Sequence, residues 1–287
     1  MSDPVDAIVL DFDSGEYLEG LLRSMAAQTV PFRRVIVWDN GSSVPAAERI
    51  GRHDLPIVIR RVRTNLGFTG GINAAMHLVG APLVAWINSD VRLDPRWVER
   101  VGRAFGESVV VAAQGINVAP DGRVDGAGIT IDDGTYRQFA RGADPRGLIA
   151  SGRQPWGISA TAAMYRTRIL RDASLGGFVL HPALFLYYED VELSARLRAG
   201  GWRFALVPEP LAVHEGSRSA RLEPRADRLR VRNRYWVNRL HPGVGRRSAL
   251  IMEDIGRVGR AVLRGRVREA AMIASAMREG LRGKIDF

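Results

Sequence analysis

The chain has 287 residues, 46% hydrophobic and 25% charged, with a formal net charge of +10: enough for one large α/β domain or two smaller ones, with no bias toward disorder. Cysteine is absent, which excludes disulfides, zinc–thiolate sites and thiol nucleophiles. The start, Met1-Ser2-Asp3-Pro4, has no leader-like basic or apolar region, and no apolar run approaches the length of a membrane span; a cytoplasmic enzyme is expected.

Taken in order, the first half alternates strand and helix. Val5–Leu10 reads as a strand, followed by Leu18, Leu21, Leu22 and Met25 at helical spacing. Val35–Trp38 is a second strand and Ile57–Val62 a third. The glycine-rich run Asn65-Leu66-Gly67-Phe68-Thr69-Gly70-Gly71 follows, then a helix through Met76 and a fourth strand, Leu83–Ile87. Such βαβ alternation predicts a mostly parallel sheet with helices on both faces and ligands at the carboxyl ends of its strands. The polar clusters at 39–43, 65–71 and 88–90 all fall there.

After a strand at Val109–Ala113, residues 115–150 are rich in Gly and Asp, with hairpin signals at Asp121-Gly122 and Asp133-Gly134. Trp156-Gly157 opens a loop leading into an apolar stretch. Residues 185–216 then place Glu189 and Asp190 at the mouth of a helix, a strand at Phe204–Val207, and His214 beyond it. Carboxylates at a helix N-terminus are often only caps. Here the run Phe185, Tyr187, Tyr188 sets them beside apolar walls, and a partly desolvated carboxylate is a candidate base. Asn88 and Asp90 offer an amide oxygen and a carboxylate to a cation, which His214 could complete as an Mn²⁺ or Mg²⁺ site.

The positive charge sits in the tail. Residues 216–287 hold 18 Arg or Lys against 7 Asp or Glu, whereas residues 1–215 hold 23 against 24. The tail reads as helical, with Ile251, Ile255, Val258 and Val262 on one face and Arg257, Arg260 and Arg264 mostly off it. Nucleic acid, an anionic membrane and anionic substrates are all candidate partners for such a segment.

In their order along residues 5–240, six motifs resemble the family 2 inverting glycosyltransferases of the GT-A fold, rhamnosyltransferase-like branch. They are Val37–Ser43, Asn65–Asn73, Ile87–Val91, Gly176–Phe178, Tyr187–Leu193 and Gly201–Arg203. The resemblance implies a catalytic domain over 1–216, with a nucleotide-sugar half (1–114) and an acceptor half (115–216), and a basic helical extension over 217–287. It implies a nucleotide-diphosphate sugar donor, dTDP-rhamnose or a UDP-sugar. The donor would contact Asp11, Asp13, Asp39, Asn40, Asn65, Gly67, Phe68, Gly70, Gly71, Asn73, Asn88, Ser89 and Asp90. Asp39 would bind the nucleoside, and Asp90 with His214 would hold Mn²⁺ or Mg²⁺. Asp190 matches the catalytic base, with Glu189 the fallback, and Trp156, Gly157 and Tyr188 fall on the acceptor side.

A carbohydrate, lipid-linked or small-molecule acceptor is expected, in cell-envelope polysaccharide, glycolipid or natural-product glycoside synthesis. The tail is expected either to lie on the inner face of the cell membrane or to pack on the fold or on a second subunit, so homodimerisation stays open. Two departures stand out. Asp11-Phe12-Asp13 replaces the family's frequent aromatic–Asn pair, and Asn88 replaces the first aspartate of the metal motif, lowering the charge there.

Three rivals are weaker. A nucleotidyltransferase would need a basic, glycine-rich phosphate loop near the N-terminus, where residues 11–20 are acidic instead. A nucleic-acid-binding module would use the arginine-rich tail but leave the carboxylates of the first 215 residues unexplained, so no nucleic acid is expected. A Rossmann dehydrogenase is disfavoured because the glycine run follows the third strand and lacks the Gly-x-Gly-x-x-Gly order.

Overall fold

The structure is a computed structural model and describes residues 3–216 and 223–285. The first half builds as its periodicity predicts: β1 (Val5–Asp11), α1 (Tyr17–Ala26), β2 (Arg34–Asp39), α2 (Ala46–Arg49), β3 (Ile57–Arg61), α3 (Gly67–Ala75) and β4 (Leu83–Asn88). These four strands run parallel in the order β3-β2-β1-β4. Alternation along β1 divides the core. Val5, Ala7 and Val9 face a layer containing Leu18, Leu21, Leu22 and Met25 of α1, while Ile8 faces the other layer, with Ile72 and Ala75 of α3 and Trp86 of β4.

The second half departs from a parallel pattern. It comprises β5 (Val91–Leu93), α4 (Trp97–Gly102), β6 (Val110–Val118), β7 (Val124–Gly126), β8 (Ile129–Asp132), β9 (Thr135–Gln138), α5 (Pro145–Ser151), β10 (Ala162–Arg166), α6 (Thr167–Asp172), α7 (Glu189–Ala199) and β11 (Arg203–His214). The sheet continues β4-β10-β6-β11-β5, with β7 beside β6. Strand β10 is antiparallel to both neighbours, and β5 is antiparallel to β11. The central sheet is therefore mixed rather than mostly parallel beyond β4.

The expected strand at 109–113 extends to Val118, and the one expected at 204–207 runs on to His214. Prolines at 208 and 210 hid that continuation. They fall where the β6–β11 register shifts, between Leu206 and Ala212, and an irregular ladder tolerates residues that lack an N–H. The extra length delivers His214 opposite Val91, next to Asp90.

Among the described residues three helices follow: α8 (Ala226–Leu240), α9 (Arg247–Leu263) and α10 (Val267–Arg282). They share a core with the second half of the sheet domain, in which Val231, Tyr235, Leu250 and Ile273 pack with Ile129, Leu184 and Val191. The face expected over 251, 255, 258 and 262 is split. Ile251 and Val258 pack against this core, whereas Ile255 and Val262 stay exposed, because both sides of α9 carry apolar residues. Among the described residues no helix is long and apolar enough to cross a membrane.

A buried charge cluster locks α8 to α9. The Asp254 carboxylate, fully buried, pairs with Arg234, accepts from Tyr235 Oη at 2.7 Å and from Arg257 at 3.0 Å. Removing one partner of such a cluster leaves a buried charge uncompensated. Asp254→Ala is expected to cost about 3–5 kcal/mol in urea unfolding, whereas a loss under about 1 kcal/mol would mean that the tail is not integral to the fold.

Candidate active site

A cleft of about 680 Å³ opens at the carboxyl ends of the strands, where a sheet of this kind offers its ligand site. Leu10 and Phe12 line it from the end of β1, Asn40 from β2, Asn65, Gly67 and Phe68 from the start of α3, and Asn88, Ser89 and Asp90 from β4. The far wall carries Tyr187, Tyr188, Glu189 and Asp190, with Asp125 and His214 between. The β4, α7 and β11 motifs, more than a hundred residues apart at their extremes, thus meet on one cavity.

Other candidates lie behind this surface. The Asp39 carboxylate accepts from the backbone N–H groups of Ser42 and Ala46, both at 2.9 Å, and is fully buried. Asp11 is buried against Ser14, Ser42 and Arg49. Asp13 accepts from Ser43 N–H and Oγ at 2.8 and 2.7 Å. These three carboxylates order the loops after β1 and β2 and do not line the cleft. Asn73 ties α3 to Leu180 through a reciprocal pair of hydrogen bonds at 2.8 and 2.9 Å.

Most of the glycine run forms α3. Gly67 has a left-handed φ of +72°, and a Cβ there would collide with the Phe185 carbonyl. Gly71 meets Leu10 closely. Trp156 is half-buried under the Arg198 guanidinium, 5.7 Å from its ring, and Gly157 packs on Ser194. Neither lines the cleft.

His214 stands between two carboxylates, of which the sequence disclosed only Asp90. Its Nδ1 lies 2.7 Å from Asp125 Oδ2, and its Nε2 lies 3.3 Å from Asp90 Oδ1 without hydrogen-bond geometry. Asp125 is held in turn by Arg141 at 3.1 Å. Burial would lower the imidazole pKa, but the two carboxylates outweigh it and raise it to about 9. They favour a positive charge at this point, whether proton or cation. Asp125, on the short strand β7, carried no signal in the sequence beyond a Gly/Asp-rich stretch that reads as turn.

Both acids of α7 accept backbone hydrogen bonds, and what sets them apart is the Asp190 charge acting on Glu189. Burial raises both pKa values, and the Asp190 charge raises that of Glu189 further. Asp190 is eased back by the backbone N–H groups of Val191, at 2.9 Å, and Ala160. Glu189, with its Oε2 buried and lacking a hydrogen bond, retains its proton to higher pH. Asp190 ionises first, which suits a base.

The loop before α7 places these acids. Phe185, Tyr187 and Tyr188 all take positive φ, from +62° to +71°, costly for residues with a Cβ. Asn233 of α8 donates its amide to the carbonyls of Leu184, Leu186 and Tyr187 at 2.7–2.9 Å. Arg230 donates to Tyr187 Oη at 2.6 Å, and the Arg225 guanidinium covers the Phe185 ring at 4.4 Å.

Residues 7–173 match the model of glycosyl transferase family 2. The chain belongs to that family. The matched span includes Asp90; Asp190 and His214 lie beyond it. Over 249 residues this family 2 chain is 26% identical to the O-antigen biosynthesis protein RfbC of Myxococcus xanthus, covering 82% of the chain but 19% of RfbC.

Among solved structures it is similar to S. aureus TarS 1–349 in complex with UDP-GlcNAc, with a TM-score of 0.57, 18% identity, and 83% of this chain and 65% of that one covered. It is also similar to GalNAc-T7 with UDP, GalNAc and Mn²⁺, at a TM-score of 0.59, 10% identity, and 75% and 43% covered. These likenesses establish the GT-A fold, with its C-terminal helices added.

The family 2 chain makes a prediction about its own acid pair. Asp190→Asn removes the charge that raises Glu189, so the Glu189 pKa, followed by carboxyl ¹³C NMR, is expected to fall toward the ordinary glutamate value while staying above it through burial. An unchanged Glu189 titration would show that the two acids are not coupled.

Proposed function

We propose that this chain is an inverting, divalent-cation-dependent glycosyltransferase that moves a sugar from a nucleoside-diphosphate sugar to an acceptor hydroxyl. The observation that carries the reading is the meeting, in one cleft, of a desolvated Asp190 with the Asp90–His214 pair at the carboxyl ends of the parallel strands. Asp190 takes the proton of the acceptor hydroxyl as that oxygen bonds to the anomeric carbon. The bond from that carbon to the diphosphate oxygen breaks on the opposite face, and configuration inverts. Glu189, still protonated beside it, adds no second negative charge to the site.

The residues present fit a cation. His214 has Nδ1 fixed by Asp125 and a buried Nε2 that makes no hydrogen bond, facing Asp90; a second carboxylate orienting the imidazole is the usual support for a metal-ligating histidine. Among the described residues no group of three His, Cys, Asp or Glu side chains could hold a metal ion alone. Two protein ligands suffice for Mg²⁺ or Mn²⁺ when substrate phosphate and water complete the shell. A cation held there would neutralise the departing nucleoside diphosphate.

The donor is a UDP-sugar or dTDP-rhamnose. The TarS structure holds UDP-GlcNAc and the GalNAc-T7 structure UDP with GalNAc, which supports a uridine donor, and rhamnose follows from the motif resemblance. RfbC, as an O-antigen biosynthesis protein, supports a polysaccharide acceptor.

A nucleotide-sugar panel read by thermal shift and donor hydrolysis tests this reading. A donor at ~100 Kd should add about 2.7 kcal/mol of apparent stability. Asp190→Asn should keep that shift yet lose about 10²–10⁴ in turnover. Because Asp190 acts deprotonated, wild-type kcat/KM should rise with pH through a pKa above the ordinary carboxylate range. Near-normal turnover in Asp190→Asn would move the base elsewhere.

Asp125→Asn keeps both cation ligands but weakens the carboxylate that orients His214. Mn²⁺ affinity, followed by EPR, is expected to fall about 10–100-fold. Unaltered affinity would leave Asp125 as a partner of Arg141 only.

A further inference from the structure

The outer face of the α9–α10 pair is separate from the cleft. Of the nine large hydrophobic residues exposed among the described residues, five lie within it: Met252, Ile255, Val262, Leu263 and Val267. Leu263 is 88% exposed and Val267 69%. They flank the turn Arg264-Gly265-Arg266 at the tip of the helical hairpin. Behind the tip, a groove of about 590 Å³ between the helices is lined by Ile255, Val258, Met277 and Leu281, with Arg278 and Arg282 beside them. The exposed side chains at the tip take no part in holding the helices to the fold: the core contacts run through Leu250, Ile273 and Ala276, with Val258, Met277 and Leu281 on the groove floor packed against the same core, and through the buried Asp254.

Charge is sorted across the same pair. Glu253 and Asp254 turn inward to Arg234, and Glu279 turns inward to Arg228 and Arg232. Three of the acids on these helices are thereby spent on α8. Glu269 meets Arg266 at 3.5 Å near the tip. Arg260, Arg264, Arg268, Arg278 and Arg282 have no ion-pair partner among the described residues. The outward surface is apolar and cationic, although the two helices also contain acids.

We propose that the α9–α10 hairpin docks the enzyme on an anionic lipid bilayer, with Leu263 and Val267 entering the acyl boundary and the surrounding arginines meeting lipid phosphates. A projecting apolar tip suits a deformable bilayer, and arginine stems can lie along apolar surface while their heads reach phosphate. The unpaired guanidiniums supply the charge complementarity, each contributing roughly fivefold in partitioning near an anionic surface. This docking is independent of which sugar the cleft accepts.

Truncating the tail would remove Asp254 and its partners, so point variants of the full chain are the test. The wild type is expected to co-sediment with mixed phosphatidylcholine–phosphatidylglycerol vesicles, not with phosphatidylcholine alone, and to be released by salt. The double variant Leu263→Glu/Val267→Glu should lose binding, and Arg264→Glu/Arg268→Glu should weaken it by at least an order of magnitude. Both should keep the wild-type melting temperature and donor hydrolysis, since these side chains are exposed and remote from the cleft. Absence of wild-type binding to the mixed vesicles at low salt, or undiminished binding by the first double variant, would overturn the proposal. So would a wild-type dimer, seen by sedimentation equilibrium, that Leu263→Glu/Val267→Glu dissociates without any vesicle binding; the face would then belong to a second copy.

Discussion

One side-chain amide holds together the loop that forms the far wall of the cleft. Asn233 donates to three consecutive-loop carbonyls, those of Leu184, Leu186 and Tyr187, in a segment where Phe185, Tyr187 and Tyr188 take left-handed backbone angles. Each such residue costs on the order of 1–3 kcal/mol, so the loop would relax without an external partner. Its relaxation would turn α7 and carry Asp190 away from the cleft. The conformation is over-determined from several sides: Gly67 leaves room for the Phe185 carbonyl, Thr69 N–H donates to that carbonyl at 3.1 Å, and two arginines of the α8 region cover the aromatic rings. Asn233 lies more than 40 residues downstream of Asp190, the carboxylate it helps to place.

This dependence gives the tail a role that its charge alone conceals. Helix α8 braces the loop that carries Asp190, and α9 and α10 brace α8 through Asp254 and a shared apolar core. The buried Glu192 carboxylate adds another tie. It pairs with Arg196 at 2.8 Å and lies 3.1 Å from His241 Nε2, joining α7 to the end of α8. Burial would raise the Glu192 pKa, but the bonds from His241 and Arg196 more than offset that and lower it. Glu192 therefore stays ionised while Glu189, three residues earlier and without a cationic partner, resists ionisation. Position on the helix is less decisive than the partner that each carboxylate meets.

Much of this was legible in the sequence where a local pattern encoded it. Period-two and helical spacing fixed β1 through β4, and the Asp-Gly pairs marked the turns at 121–122 and 133–134. The motifs at 65–71, 87–91 and 187–193 pointed to residues that do meet on one cleft. What stayed hidden depends on contacts between distant segments. Asp39 and Asp11 look like ligand carboxylates until their backbone and arginine partners are seen. Asp125 looks like a turn residue until β7 sets it against His214. The continuation of β11 past Pro208 and Pro210 requires an irregular ladder with β6 that no propensity announces.

The tail shows the same limit in electrostatic form. A net charge counted along the chain treats every arginine as equivalent, yet folding divides them into two populations. Arg228, Arg232 and Arg234 face acids of the neighbouring helices and contribute to cohesion. Arg260, Arg264 and Arg268 face outward beside exposed aliphatic side chains. Consuming the acids internally makes the outer surface more cationic than the composition of its own helices. Evenly paired surface charges would largely cancel one another; sorting the acids inward leaves a one-signed field beside an apolar tip, felt within roughly 10 Å at ordinary ionic strength. The stabilising ion pairs of the fold and the cationic character of its outer face are two consequences of one arrangement.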